Sequence, residues 1–263
     1  MERDLPQAIK KWTAGHVCTF DHTGLSGSEV WLFEDWVLKI EPAGMELANE
    51  AQAIAWLQGR LPVPEIRAFV IEDGWTYDLM TRLPGKMLCD TPYMEDEEKQ
   101  LAVLTEVFDS LWAIDITDCP CQQTLDIKLK QARENVLQGR VDLSLVEPET
   151  FGPDGFKDPM DLLCYLETHR PTEDLVFCHG DLCLPNILGH DQKLSGLIDL
   201  GRMGVADRWQ DLALCYRSLR DNARGCFGDQ VYANQAASKL FRRLGVVPDQ
   251  EKLRYYLLLD ELF

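Results

Sequence analysis

The chain has 263 residues, of which 46% are hydrophobic, enough to bury a sizeable core in one large domain or in two lobes. Its 44 acidic residues against 26 basic ones leave a formal net charge of −18, which argues against nucleic acid or an anionic membrane as a partner and favours polycations. No apolar run reaches the length of a membrane span, and the charged N-terminus lacks the core of a signal peptide, so we expect a cytoplasmic protein. The nine scattered cysteines favour reduced thiols over zinc ligands.

The N-terminal part of the chain has the pattern of a β-sheet with one helix. Short apolar and β-branched runs, separated by turn signals, predict strands over residues 17–20, 29–33, 36–40, 67–71 and 75–80. Apolar residues at helical spacing predict a helix over 45–58, which stops before Gly59. The small residues 23–28 (TGLSGS) predict a turn whose backbone amides are able to approach phosphate oxygens, although on this signal alone an ordinary hairpin turn is the better interpretation.

The pattern becomes helical after Pro84 and Gly85, which mark a hinge. Helices are predicted over residues 95–115, 124–139, 158–169, 207–222, 229–244 and 249–262. The four acids at 95–98 suit the N-terminus of a helix, so they are interpreted as capping residues. These elements predict an α+β chain with a strand-rich N-terminal lobe over 1–82, a hinge over 83–86 and a mainly helical C-terminal lobe over 87–263.

Lys39 lies within the apolar strand 36–40, where an unpaired ammonium group would be costly to bury. Glu50, on the helix that follows, is able to reach Lys39 and orient it. A Lys–Glu pair that holds nucleotide phosphates is an arrangement used in phosphoryl transfer. The alternative is a lysine on an edge strand that points to water.

The strongest functional signal is HGDLCLPN at residues 179–186, followed by IDLGR at 198–202. Asp181 is predicted to accept a proton from a substrate hydroxyl group. A hairpin after Asn186 would bring Asn186 and Asp199 to the same end, where an amide and a carboxylate oxygen suit Mg²⁺. His179 is interpreted as a structural residue that holds the loop by hydrogen bonds.

Further segments give these motifs a family context. They are LPVP (61–64), IDITDCP (114–120), FKDP (156–159), ADRWQD (206–211) and the terminal LDELF (259–263). With them, the chain resembles aminoglycoside phosphotransferases over nearly its full length, most closely the 3′-phosphotransferases that inactivate kanamycin and neomycin.

The resemblance implies a protein-kinase-like bilobal fold and a nucleotide site that binds ATP, with GTP as an open alternative, together with Mg²⁺. It assigns Asp181 as the base, Asn186 and Asp199 as the metal ligands, and Lys39 with Glu50 as the phosphate-binding pair. The remaining nucleotide contacts that it implies are Ser26 in the phosphate loop, Met80 before the hinge, the backbone of Thr81 and Leu83 at the adenine, and Ile198 beneath the adenine ring.

The resemblance also implies an acidic pocket for a polycationic aminoglycoside, whose ammonium groups carboxylates bind through charge-assisted hydrogen bonds. Its implied members are Asp158, Asp181, Arg202, Asp221, Asp260, Glu261 and Phe263. A frayed, solvated terminus is the alternative for Asp260 and Glu261, but the apolar residues 255–259 favour an anchored final helix. Glu147 and Glu149 fall in a loop that closes over the sugar in relatives.

The expected activity is transfer of the γ-phosphoryl group of ATP to an aminoglycoside hydroxyl group, which would confer resistance. The 3′-OH is the expected acceptor, with the 5″-OH left open, and a monomer or weak homodimer is expected. Gly180 stands where protein kinases carry an arginine, and the segment 199–207 is too short for their activation loop. A kinase for choline, homoserine or a fructosamine and a nucleotide-sensing scaffold without activity are the alternatives.

Overall fold

The structure is a computed structural model and describes residues 4–21, 28–44, 46–227 and 230–263. Its helices are α1 (Gln7–Thr13), α2 (Glu46–Leu57), α3 (Thr91–Met94), α4 (Glu97–Trp112), α5 (Leu125–Leu137), α6 (Pro159–Thr168), α7 (Trp209–Ala223), α8 (Ala236–Arg243) and α9 (Gln250–Asp260). Its strands are β1 (Thr19–Phe20), β2 (Glu29–Leu32), β3 (Trp36–Pro42), β4 (Ile66–Glu72), β5 (Trp75–Thr81), β6 (Lys86–Met87), β7 (Leu175–Cys178), β8 (Ile187–His190), β9 (Lys193–Leu197) and β10 (Gly204–Asp207). The strand-rich first part and the helical second part confirm the predicted α+β class.

The chain divides into two compact units, which are described separately. The first contains residues 1–87 and 186–202, and the second contains 88–185 and 203–263. The predicted lobes were each one continuous stretch, so the structure differs at 186–202. Strand pairing accounts for this difference, because β8 in that segment pairs with β6 of the first unit.

The described part of the first unit contains an antiparallel sheet of five strands in the order β1-β2-β3-β5-β4. Because side chains alternate along a strand, one face carries Leu38, Ile40, Tyr77 and Leu79, which pack with Ile9 of α1 in a buried cluster. The opposite face carries Lys39 and contacts α2. β3 lies inside the sheet, between β2 and β5, so the edge-strand alternative for Lys39 is wrong.

The segment 186–202 contains the predicted hairpin, in which β8 and β9 pair antiparallel around a turn at Asp191. Gly85 lies against this hairpin: a Cβ atom at that position would lie 2.4 Å from the carbonyl oxygen of Gly189. Its φ of +113° is also one that other residues rarely adopt. The predicted hinge therefore requires glycine for close backbone packing.

The second unit is mainly helical. Asp96 caps the N-terminus of α4 by accepting a hydrogen bond from Lys99 N (3.0 Å), which confirms the capping interpretation of this acidic segment. α7 packs against α8 and α9, and β7 pairs antiparallel with β10. Along the described ranges, every helix is too short or too polar to cross a lipid bilayer.

Several elements were not predicted. α1 is short and has little periodicity, β6 has two residues, and β7 and β10 pair across a long sequence separation. α8 begins at Ala236, and the described residues 230–235 of the helix predicted over 229–244 are not helical, because the side chain of Asn234 holds this segment. Its Nδ2 donates to Met94 O and Gln100 Oε1 (3.0 Å each), and its Oδ1 accepts from Ala236 N (2.8 Å).

Candidate active site

The first unit holds a buried lysine between two carboxylates. Lys39 is 9% exposed, and its Nζ donates to Glu50 Oε1 (3.2 Å), to Glu50 Oε2 (3.0 Å) and to Asp199 Oδ1. Burial alone would lower the pKa of Lys39, but the two carboxylates outweigh it and raise the pKa above its usual value. The ammonium group therefore stays charged at neutral pH, and the predicted pairing with Glu50 is confirmed.

Glu50 also connects α2 to the segment after Asp199. It is 4% exposed, and its Oε1 accepts a hydrogen bond from Leu200 N at 3.2 Å. One buried carboxylate thus orients both Lys39 and the backbone next to Asp199.

The hairpin brings Asn186 and Asp199 to one end, as predicted. Ile187 pairs with Leu197, and Ile198 N donates to Asn186 O at 3.1 Å, so Asp199 lies one residue beyond the last pair. Asp199 has a φ of +59°, a conformation that costs energy for a residue other than glycine and is concentrated at functional sites.

These two side chains fit Mg²⁺ by their chemistry. Mg²⁺ takes hard oxygen ligands and usually binds through one or two carboxylates together with substrate phosphates and water. The side chain of Asp199 is 47% exposed and able to meet a ligand, while Asn186 is 7% exposed. The described residues contain no group of three or more His, Cys, Asp and Glu side chains placed for a metal, so phosphates and water would supply the other ligands.

The predicted adenine contacts lie near the end of β5. Met80 is 2% exposed, and Thr81 uses its N–H and Oγ1 to bond the backbone of Glu65 (2.9 Å each). The N–H of Leu83 has no hydrogen-bond partner among the described residues, as an adenine-binding group requires. Ile198 is half-buried after β9, whereas Ser26 lies outside the described residues.

In the second unit, Asp211 holds the loop that carries the predicted base. Asp211 is fully buried in the first turn of α7, and its carboxylate accepts from His179 N (2.7 Å) and from Gly180 N (2.9 Å). Burial raises the pKa of Asp211, although His179 and the two N–H groups oppose this effect. His179 Nδ1 in turn accepts from Asp181 N at 3.3 Å, which agrees with a structural histidine.

Asp181 itself is half-buried and lies beside the thiol of Cys183. The thiol lies 3.2 Å from Asp181 Oδ1, and Cys183 N donates to Asp181 O at 2.9 Å. Burial, followed by the charge of Asp181, raises the pKa of Cys183 well above its usual value, so the thiol remains a hydrogen-bond donor. Cys183 was not predicted as a site residue.

The acids at the C-terminus are anchored, so the frayed-terminus alternative is wrong. Asp260 pairs with Arg217, and Glu261 Oε1 lies 3.5 Å from the same guanidinium group. Glu261 Oε2 also accepts from Glu147 N at 3.0 Å. Burial raises the pKa of Glu261 to about 7, although the Glu147 N–H and Arg217 oppose this effect.

A second arginine binds two more acids in this unit. Arg220 donates to Asp221 Oδ1 at 2.6 Å and lies 2.5 Å from Glu147 Oε1. The loop that carries Glu147 is therefore bonded both to α7 and to Glu261. Together, these residues form an acidic cluster, defined here as Glu147, Asp221, Asp260 and Glu261 with Arg217 and Arg220.

Among the other predicted substrate residues, Phe263 is joined to this cluster through its backbone. Asp158 caps α6 by accepting from Asp161 N at 2.9 Å. The ring of Phe263 lies 4.7 Å from Lys128 Nζ, and Phe263 N donates to Asp260 O at 3.1 Å. Arg202 belongs to the first unit, where it is half-buried.

Sequence reasoning missed Asp211, Arg217, Arg220 and Cys183 as parts of these sites. Asp211 lies in the quoted segment ADRWQD, and a fully buried aspartate near a helix N-terminus was the available signal. The two arginines lie three residues apart on α7 and so share a face, which was a second available signal.

Comparisons with known proteins find similarity to phosphotransferases over almost the whole chain. A sequence model of the phosphotransferase enzyme family (APH) matches residues 18–255. An aminoglycoside 3′-phosphotransferase of Enterococcus faecalis is 38% identical, and the match covers 97% of each protein. The crystal structure of an aminoglycoside-3′-phosphotransferase of type VIII matches with a TM-score of 0.82 and 31% identity, covering 98% of this chain and 97% of that chain. The aminoglycoside phosphotransferase APH(3″)-Id from Streptomyces rimosus, solved with ADP and streptomycin, matches with a TM-score of 0.77 and 25% identity, covering 97% and 96% of the two chains.

Proposed function

The chain belongs to the phosphotransferase enzyme family, and we propose specific roles for its residues in the phosphorylation of aminoglycosides. Its similarity to 3′-phosphotransferases over nearly their full length makes it an aminoglycoside kinase with 3′ specificity, an activity that confers resistance. The alternatives of a choline-type kinase and of an inactive scaffold are thereby set aside.

Lys39 binds nucleotide phosphates, and the observation that carries this role is its buried position between Glu50 and Asp199. Glu50 keeps the ammonium group oriented, so its donors are in place before the nucleotide arrives. Asn186 and Asp199 hold Mg²⁺, which when bound neutralises charge on the phosphates. ATP is the expected donor, and GTP is tested beside it.

Asp181 orients the acceptor hydroxyl group and takes its proton. As that proton moves to the carboxylate, the hydroxyl oxygen forms a bond to the γ-phosphorus, and the bond from phosphorus to the β,γ-bridging oxygen breaks. The phosphorylated drug and ADP are the products. Asp211 supports this step from a distance, because it fixes the backbone on which Asp181 stands.

The acidic cluster binds the ammonium groups of the drug. Its four carboxylates meet only two arginines, so it keeps a net negative charge when all four are ionised. Partly buried carboxylates bind ammonium groups more strongly than exposed ones, because solvent screens them less. The phosphate group added by the reaction carries about −1.5 to −2 charges, which opposes binding of the product to an anionic RNA target.

Asp181→Asn tests the assignment of the base, with Asp191→Asn on the exposed turn of the β8–β9 hairpin as a matched control. We expect kcat of Asp181→Asn with kanamycin to fall by about 10²–10⁴-fold, while its affinity for Mg·ADP in calorimetry stays within about twofold of the wild type. The control should keep its activity. Full turnover by Asp181→Asn would show that another group accepts the proton.

A substrate panel tests specificity. Kanamycin, butirosin, gentamicin and choline, each with ATP and with GTP, are assayed by coupled detection of the released nucleoside diphosphate. NMR of the kanamycin product locates the phosphate, and we expect the 3′ position. Phosphate found only at another hydroxyl group would contradict the 3′ specificity, and loss of turnover in EDTA that Mg²⁺ restores would support the metal site.

A further inference from the structure

Asp78 is a buried carboxyl group that the proposed reaction does not use. It lies in the middle of β5, is 0% exposed, and neither of its oxygens has a hydrogen-bond partner in the described part of the chain. Buried polar groups nearly always have partners, so an unpaired carboxyl group at this depth is unusual.

Strand register places Asp78 beside the lysine of the nucleotide site. Asp78 pairs with Lys39 across β3 and β5, so the two side chains leave the same face of the sheet, with Cβ atoms about 4.5–5.5 Å apart. Nevertheless Lys39 donates to Glu50 and Asp199 and not to Asp78.

A neutral Asp78 would account for this choice of partners. Burial, together with the charges of Glu50 and Glu41, raises the pKa of Asp78 to about 7, although Lys39 opposes this effect. These are the charged groups that act on it from β3 and α2, and the cross-strand neighbour from β4 is the uncharged Phe69. A neutral carboxyl group does not compete for the ammonium group, whereas an ionised one would do so at close range.

We propose that Asp78 is a positioning residue for Lys39: its neutral form leaves Lys39 free to bind nucleotide phosphates, and its ionised form draws Lys39 away from them. The inference rests on the proposed role of Lys39 in nucleotide binding. It gives the enzyme a nucleotide affinity that falls as pH rises through neutrality.

The experiment compares the wild type with Asp78→Asn, whose amide has the shape of the neutral acid at every pH. The dissociation constant of Mg·ADP and the KM and kcat for ATP are measured between pH 6 and 9. We expect wild-type affinity to fall by about tenfold over this range, the worth of one charge-assisted hydrogen bond to Lys39, and the variant to keep its affinity. Titration of ADP itself is common to both proteins and cancels in their ratio. Asp73→Asn, at the exposed tip of the β4–β5 hairpin, should follow the wild type.

Two further variants separate the possible failures. Lys39→Ala should weaken Mg·ADP binding at all pH values; if it binds as the wild type does, the proposed function of Lys39 is wrong. If Lys39→Ala weakens binding but Asp78→Asn keeps the wild-type pH dependence, only the inference about Asp78 is wrong. Asp78→Leu serves if the asparagine variant does not fold, and it too should lose the pH dependence. A change in melting temperature with an unchanged pH profile would show a merely structural role and overturn the proposal.

Discussion

Replacing Asp211 by asparagine should separate the support of the catalytic loop from the chemistry itself. The buried carboxylate accepts two backbone hydrogen bonds, from His179 N at 2.7 Å and Gly180 N at 2.9 Å. Asparagine keeps the size of the side chain but offers one oxygen, so one of the two N–H groups would face an NH₂ group. An unpaired buried donor costs about 1–3 kcal/mol, and the remaining bond loses its charge assistance. Relief of carboxylate burial offsets part of this cost, so we expect a net loss of about 2 kcal/mol.

The loss should also appear in turnover. Asp181 follows Gly180 directly, and a displacement of about 1 Å at a catalytic group is able to cost on the order of 10²-fold in rate. We therefore expect kcat to fall by about 10–100-fold at saturating kanamycin, with KM for ATP nearly unchanged, because Lys39 and Glu50 belong to the other unit.

Urea unfolding measures the stability change, and steady-state kinetics measures kcat and the two KM values. Asp109→Asn, on an exposed position of α4, is the matched control and should leave both unchanged. If Asp211→Asn loses stability but keeps kcat within about twofold, the loop does not depend on this carboxylate for its active geometry. That result would refute the reasoning.

Three further perturbations have expected outcomes. Burial raises the pKa of Glu261 to about 7, so the folded protein holds the proton of Glu261 more tightly than the unfolded chain does. The protonated Glu261 therefore stabilises the fold below about pH 4.5. This stabilisation, at most about 3 kcal/mol, is lost as the pH rises towards 7. Ionisation of Glu261 near pH 7 adds a negative charge to the acidic cluster, so we also expect kanamycin affinity to rise as pH passes through 7. Glu261→Gln should flatten the stability loss in urea unfolding and abolish this rise in affinity. Gly196→Ala would place a Cβ atom 2.3 Å from Leu83 Cδ1, so we expect a loss of about 1–3 kcal/mol and weaker nucleotide binding. Cys183→Ala removes the thiol 3.2 Å from Asp181 Oδ1, and we expect a modest fall in kcat, below about tenfold, with KM unchanged.

Each of these has its own control. Glu65→Gln, at an exposed position directly before β4, should leave the pH dependence of kanamycin affinity as in the wild type. Gly44→Ala places its Cβ in ordinary contact, 3.6 Å from Pro42 O, so it should be tolerated. Cys183→Ser, which restores a donor, should recover part of the lost kcat. A tolerated Gly196→Ala, or a serine variant no better than alanine, would contradict the corresponding contact.

The parts of the site that the sequence predicted correctly are formed by residues that lie close together along the chain. Lys39 and Glu50 lie on a strand and the helix that directly follows it, so their pairing depends on little more than the length of the connection. Asn186 and Asp199 flank a short hairpin, whose antiparallel register must bring its two ends together. The stop after α2 and the cap of α4 depend on adjacent residues in the same way.

Only the tertiary structure decided which groups lie together across long separations. Asp211 reaches back 31 and 32 residues to hold the loop of Asp181, and Arg220 joins Glu147 across 73 residues. The placement of β3 inside the sheet excluded a solvated Lys39, and the same register put Asp78 beside it without a partner. The physical reason is that residue type and spacing determine propensity and short-range geometry, whereas burial and long-range pairing depend on which elements pack against one another.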